Sequence, residues 1–313
     1  MVEKAYKAKR NSDVISTNIV YILMKKYVIL GILTSFFFLG LGIYQFFTLN
    51  NGKLQVTVCD VGQGDAVVIR TPEGHTILFD GGPDKSVLQC LRKALPFWER
   101  RIGLILLSHP HADHLNGLID VLKTYSVGQF ATEDLANTSD GYKALQEIVR
   151  TEGLSWQSLV SGDKIKLDSG VVLTVVGPTK EFLSRTAVGG KYITSSEFAS
   201  LEILLTYQKF SFLLTGDSQY QEMGESIAMY KDQLSRVTLL QTPHHGSRSG
   251  ITPEIIAVLH PQVGMISVGA HNSYGHPAPS TLVTLQNAGV KIYRTDKEGT
   301  LRVISDGKSY NLQ

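Results

Sequence analysis

Two cysteines in 313 residues cannot build the disulfide framework of a small secreted domain. Cys59 ends a strand-like run and Cys90 lies in a helix-like one. Both are expected to be small core residues, with a single bridge as the alternative if the domain faces an oxidising space. No short-period repeat or low-complexity tract is present, which excludes solenoid, propeller and tail-like architectures. A charge excess is also missing: 30 Lys and Arg stand against 28 Asp and Glu. A sequence-independent nucleic-acid binder would usually carry a strong basic patch, and none is plain in the sequence.

The near-neutral total conceals an uneven distribution. Lys4, Lys7, Lys9, Arg10, Lys25 and Lys26 fall in the first 26 residues against Glu3 and Asp13, and the remainder is left with a net charge of −2. Residues 27–48 carry no charge at all. That run, with Phe36-Phe37-Phe38 and Ile29-Leu30 in it, lacks the polar face of a soluble helix and reaches the roughly 20 residues that span a bilayer. Lys25 and Lys26 abut its start. The positive-inside rule then predicts a basic cytoplasmic tail over 1–26, a single-pass anchor over 27–48 in the cell membrane, and the rest of the chain outside. A cleaved signal peptide is the competing reading, but Phe46-Phe47-Thr48-Leu49 offers no small-residue cleavage site.

Beyond residue 54 the pattern alternates. Strands are expected at 54–58, 66–70, 75–79, 102–107, 127–131, 171–176, 201–207, 210–215, 237–241, 263–268, 290–294 and 300–304. Helices are expected at 87–95, 115–123, 142–151, 218–230, 253–259 and 279–288. Residues 180–197 have no clear period; they read as a polar loop or a lip offering Lys180, Arg185 and Lys191 to an anion. Both halves run from strands through a polar turn to helices, which suggests two facing halves with sheets inside and helices outside.

The chemistry concentrates in Ser108-His109-Pro110-His111-Ala112-Asp113-His114, where three histidines and an aspartate occupy six positions after a buried-strand pattern. Imidazole and carboxylate are the ligands of borderline divalent metals. His109 and His111 converge on one metal, while Asp113 and His114 point elsewhere and begin a second site. Further candidates lie at strand ends: Asp65 and Asp80 in Gly-rich turns, Asp217 in Leu214-Thr215-Gly216-Asp217, the pair His244-His245, and Asn272 and His276 in Asn272-Ser273-Tyr274-Gly275-His276-Pro277. Asp217 has a competing reading as the cap of helix 218–230. Of His244 and His245, adjacent and pointing in different directions, one is expected to bind metal. His75 and His260 carry no motif.

His-x-His-x-Asp-His after a strand resembles the metallo-β-lactamase superfamily. With Asp60-Val61-Gly62-Gln63-Gly64-Asp65, Phe79-Asp80-Gly81-Gly82, His244-His245-Gly246-Ser247 and Tyr274-Gly275-His276-Pro277 in this order, residues 54–305 look like the extracellular hydrolase domain of ComEC-type competence proteins. The resemblance implies a four-layer αββα sandwich (an α/β fold) preceded by one transmembrane helix. It implies two divalent ions, zinc or manganese, held by His109, His111, Asp113, His114, Asp217 and His244 or His245. Asp65 and Asp80 would orient the ligands from behind, and Asp113, His276 and Asn272 would serve catalysis. It implies a phosphodiesterase or nuclease acting on DNA outside the membrane, with a separate channel protein as a partner, since one span forms no pore. The alternatives are hydrolysis of a small phosphodiester such as an envelope phosphocholine, and a non-catalytic binding module. The chain departs from the superfamily pattern in one respect: many members carry a histidine before the bridging aspartate, whereas here the stretch is Ser195-Ser196-Glu197-Phe198-Ala199-Ser200. Glu197, Ser200 or water is left to complete the first site, and manganese is favoured accordingly.

Overall fold

A computed structural model of the chain describes every residue except 50, 134–136, 138, 189, 190 and 193–199. It divides into two units, Met1–Leu49 and Asn50–Gln313. The first is one helix, Val2–Leu49. Its section Val20–Leu49 has a mean hydropathy of 2.0 and, at about 1.5 Å per residue, is long enough to cross a bilayer. No break in the helix marks the expected boundary between tail and anchor; Lys25 and Lys26 lie within it.

The second unit contains two large sheets. The eight-stranded sheet runs, in spatial order, Tyr310–Leu312, Leu301–Ser305, Leu54–Val58, Val67–Arg70, Thr76–Phe79, Arg101–Leu107, Ser126–Thr132 and Trp156–Ser158. The seven-stranded sheet runs Lys291–Arg294, Val263–Ile266, Leu239–Gln241, Phe210–Leu214, Glu202–Tyr207, Val171–Gly177 and Lys164–Lys166. Tyr310–Leu312 carries the domain past the expected limit at residue 305.

Three hydrophobic cores separate four layers. Between the sheets, Val56, Ile69, Phe79 and Leu106 of one meet Leu173, Ile203, Phe212 and Met265 of the other. On the outer face of the first sheet, Leu78, Ile105 and Leu107 pack with Leu91, Leu118 and Leu145 of helices Ser86–Ala94, Ala112–Thr124 and Asp140–Thr151. On the outer face of the second, Leu204, Leu213 and Leu240 pack with Met223, Ile256 and Leu285 of Tyr220–Met229, Pro253–Leu259 and Pro279–Asn287. Strand Arg101–Leu107 shows how one run serves two cores. Leu104 and Leu106 face inward while Ile105 and Leu107 face the helices, so the run reads as uniformly apolar. Each such side chain contributes about 1.5–3 kcal/mol on burial. The expected αββα sandwich is what forms.

Parallel pairing sets up the site. Thr76–Phe79, Arg101–Leu107 and Ser126–Thr132 are parallel, as are Phe210–Leu214, Leu239–Gln241 and Val263–Ile266. Parallel strands end together, and the loops beyond their carboxyl ends gather in one place. Those loops carry Asp80, His109–His114, Asp217, His244–His245 and the 267–278 segment.

Two expectations are corrected. Cys59 and Cys90 are not separate core residues but a disulfide, with Cα atoms 5.8 Å apart. The end of strand Leu54–Val58 and the buried face of helix Ser86–Ala94 bring them together in the same core layer. Residues 180–186, which show no clear period in the sequence, form helix Lys180–Thr186. Arg185 is not free for an anionic substrate, since it pairs with Glu225. Ala187–Val188 pairs with Lys191–Tyr192, while Ser195, Ser196 and Glu197 lie outside the described residues.

Candidate metal centre

The loop after Leu107 is anchored from behind. Asp80, fully buried and in the left-handed region at φ 58°, accepts from Ser108 N–H at 2.7 Å, Ser108 Oγ–H at 2.7 Å and His114 Nδ1–H at 2.9 Å. With Nδ1 engaged, His114 directs Nε2 forward, the arrangement that metal-binding histidines use. His245 is set in the same way. Its Nδ1–H donates to the Ser267 carbonyl at 3.0 Å, and its Nε2 faces Asp113 Oδ2 at 3.3 Å and Asp217 Oδ1 at 3.6 Å. His114 Nε2 stands 3.2 Å from the same Asp217 oxygen and 3.9 Å from Asp113 Oδ2.

Asp217 divides the cluster. Its Oδ1 faces His114 and His245, while its Oδ2 faces His109 Nε2 at 3.8 Å and His244 Nε2 at 3.5 Å. His111 meets His109 edge-on, with ring centroids 4.5 Å apart, and groups with His109 and Asp217 as potential ligands. Asp217 is not the helix cap: the helix starts at Tyr220, and Gln219 takes the cap position. Its backbone is fixed by Ser200, whose Oγ accepts the Asp217 N–H at 2.9 Å. Gly216, at φ 48°, leaves no room for a Cβ, which would stand 2.3 Å from Ser200 Oγ. Ser200 thus supports Asp217 and donates to the Thr215 carbonyl, rather than supplying a ligand.

The twin histidines, both left-handed in backbone conformation, take different parts. His245 directs Nε2 at Asp113 and Asp217, where a divalent ion would displace the proton that the two carboxylates hold there. His244 Nδ1 lies 2.9 Å from the Gln219 amide nitrogen, which donates to it, so the His244 proton resides on Nε2, beside Asp217 Oδ2. Asp65 falls within the same ligand group as His114, Asp217 and His245. Its oxygens, however, face the Nδ1 atoms of His245 at 3.6 Å and His114 at 3.9 Å, on the side away from the converging Nε2 atoms. This is an orienting position, behind the ligands. The turn that carries it runs close to the metal loop: Gly64 sits at φ 143°, and a Cβ there would lie 2.3 Å from the Asp113 carbonyl.

Asn272 is spent on its own loop. It donates to the carbonyls of Gly269 at 2.9 Å and His276 at 2.8 Å and accepts from His276 N–H at 3.0 Å. It positions His276, whose ring lies 5.6 Å from that of His244. Ser200, expected as a possible first-site ligand, instead fixes Asp217, while Gln219, which fixes His244, is an ordinary polar residue with no motif to mark it.

Electrostatically the cluster is tightly balanced. Burial disfavours charge on His114, yet Asp217 and Asp80 overcome it and hold its pKa well above the ordinary value; His245, beside Asp217 and Asp65, behaves alike. Asp217, despite its burial, is held well below the carboxylate range by His114 and His245. Burial and the neighbouring His114 push His109 well down. Divalent cations compete with protons at such positions. His109 Nε2, His114 Nε2 and Asp217 Oδ1 are buried without an aligned hydrogen-bond partner among the described residues. These orphaned donors, clustered around one shared carboxylate, fit a pair of divalent ions.

Comparison with known proteins agrees. The chain is 24% identical over 266 residues to "ComE operon protein 3" of Bacillus subtilis, covering 79% of this chain and 32% of that one. It is 26% identical over 252 residues to "Competence protein ComA" of Neisseria gonorrhoeae, with coverages of 79% and 32%. It therefore spans about a third of the length of these relatives. Among solved structures, the metallo-beta-lactamase fold protein YhfI of Bacillus subtilis superposes with a TM-score of 0.51 at 12% identity, covering 77% of this chain and 95% of that one, a likeness of fold. The model of the metallo-beta-lactamase superfamily matches residues 59–271. That stretch holds the histidine loop, Asp217 and the twin histidines together, and the chain belongs to this superfamily.

Proposed function

We propose that this chain is a membrane-anchored, metal-dependent phosphodiesterase that cuts DNA on the outer side of the cell membrane. The observation that carries the reading is the divided carboxylate of Asp217, with separate imidazole groups on its two oxygens. Such a division suits two ions, zinc or manganese, which when bound neutralise a phosphodiester and activate water for attack. His109, His111 and Asp217 would hold one; Asp113, His114, His245 and Asp217 the other. His244 presents its Nε2–H at the same place, where it can donate to a phosphoryl or leaving oxygen. His276 packs beside it, half-buried.

DNA as substrate is supported by the competence relatives. Lys25 and Lys26 favour an inside N-terminus, and the Cys59–Cys90 disulfide suits an oxidising exterior. A separate channel protein is the partner proposed for passage of the uncut strand.

The test is metal analysis of the purified full chain, joined to a panel of single-stranded DNA, duplex DNA, bis(p-nitrophenyl) phosphate and a phosphocholine ester under zinc or manganese. Two metal equivalents and DNA cleavage are expected, with manganese at least as effective as zinc. Turnover of the phosphocholine ester alone would replace DNA by a small envelope substrate. Absence of both metal and turnover would leave a binding module.

A further inference from the structure

Tyr274 is 70% exposed. Its surroundings hold it still. The ring lies within 9° of parallel to that of His276, with centroids 5.9 Å apart, and Asn272 clasps the loop on both sides through Gly269 and His276. The imidazole, whose ring lies 5.6 Å from that of His244, is offset from the tyrosine and leaves most of that ring open to solvent. The loop is tied to the turn after the twin histidines: Ala278 N–H donates to the Gly246 carbonyl at 2.8 Å and Thr281 Oγ–H to the Ser247 carbonyl at 2.9 Å. That turn exposes Arg248. Its Ser249 carbonyl accepts the N–H of Tyr220 at 2.9 Å, a second tyrosine, 42% exposed.

Resting on the phosphodiesterase reading above, we propose that Tyr274 is a stacking platform for an unpaired base of a single-stranded nucleic acid, with Arg248 meeting a phosphate of the same strand. A flat aromatic face held in advance loses little freedom on binding, and every base has a π-face to offer. In a duplex the base faces are occupied by their neighbours, so the platform selects single strands. A choline group would ask for the reverse arrangement: several rings closing round a cation, without an arginine on the neighbouring turn.

The experiment uses the full chain in detergent with three substrates: a short single-stranded oligonucleotide, an abasic strand of equal length, and bis(p-nitrophenyl) phosphate. Tyr274→Ala is expected to raise KM for the oligonucleotide by about tenfold more than for the other two, within the range of lost base stacking, and Tyr274→Trp to restore it. Arg248→Ala should raise KM for both strands and lessen their salt dependence. An equal change on all three substrates, or none on the oligonucleotide, overturns the platform while leaving the nuclease reading intact. So does phosphocholine inhibiting the parent more strongly than Tyr274→Ala. If no strand is cut, the nuclease reading fails, and fluorescence anisotropy of the intact and abasic strands still decides whether Tyr274 holds a base.

Discussion

Two sets of buried carboxyl groups stand behind this site, one in each half, and their surroundings are opposite. Asp80, in the first half, receives three hydrogen bonds and touches an imidazole. Burial raises its pKa, but His114 and Ser108 pull against that rise. Glu202 and Glu222, in the second half, are equally buried and have no cationic partner among the described residues. Oε1 of Glu202 and both oxygens of Glu222 lack a hydrogen-bond partner among the described residues. Burial lifts Glu202 to about 7 against the weaker pull of Ser226 and Ser218, and burial together with Glu202 lifts Glu222 well above the ordinary value. A buried carboxylate with a cation to orient becomes part of the site; one without keeps its proton.

Asp217 is the sharpest case of the first kind, and its loss should have the largest effect. Asp217→Ala removes the one group shared by both sets of imidazoles, together with the charge that offsets them. Activity is expected to fall by about 10²–10³-fold or more, and metal analysis should show both ions depleted. Retention of two equivalents of metal would mean that the carboxylate is not the bridge.

Glu202 tests the second kind through stability. Folding raises its pKa from 4.5 to about 7, so between these values the folded chain holds a proton that the unfolded chain has released. Stability from this group is full below about pH 4.5, declines as pH rises and is lost above about pH 7, amounting to about 3 kcal/mol at roughly 1.4 kcal/mol per unit. Glu202→Gln, neutral at every pH, should flatten that decline. Urea midpoints of the metal-free domain at pH 5 and pH 8 measure it. Equal slopes in parent and variant would mean that Glu202 is ionised in the fold.

How far these roles were legible depended on the distance over which the signal acts. The histidine loop declares itself because four potential ligands crowd six positions after a buried run, and the sandwich follows from strand and helix periods that need only local reading. Partnership across the fold is harder to read. Cys59 and Cys90 are 31 residues apart, and only the packing of one helix on one strand makes them a pair. Glu202 and Glu222 do not stand out in the sequence, because each sits in a regular element of the right period. A glutamate between Leu201 and Ile203, in a strand covered on both faces, was the available signal. His244 and His245 could not be separated by spacing, because their difference lies in what touches Nδ1: an amide for one, a carbonyl for the other.

Asp80→Asn is the mildest change and probes the paired carboxylate most closely. Asparagine tolerates the left-handed backbone that position 80 requires, so the fold should survive. Asp80 now accepts on both oxygens: Oδ1 takes the Ser108 N–H, and Oδ2 takes Ser108 Oγ–H and His114 Nδ1–H. An amide has one acceptor oxygen. If it keeps the bond from Ser108 N–H, its NH2 faces His114 and donates to Nδ1, which leaves the imidazole proton on Nε2, the atom directed at Asp217. The ligand is then present but protonated in the wrong place, and metal must displace that proton. Losses of about 10–100-fold in metal affinity and turnover are expected, typical of changes behind a metal ligand. In the metal-free chain Asp217 and Asp80 keep His114 protonated on both nitrogens, so nitrogen NMR of the variant should show Nδ1 losing its proton and Nε2 keeping one at His114 alone. Unchanged protonation together with the activity loss would assign Asp80 to charge compensation. Unchanged protonation with full activity would place it with Glu202 and Glu222, as a buried acid that the site does not use.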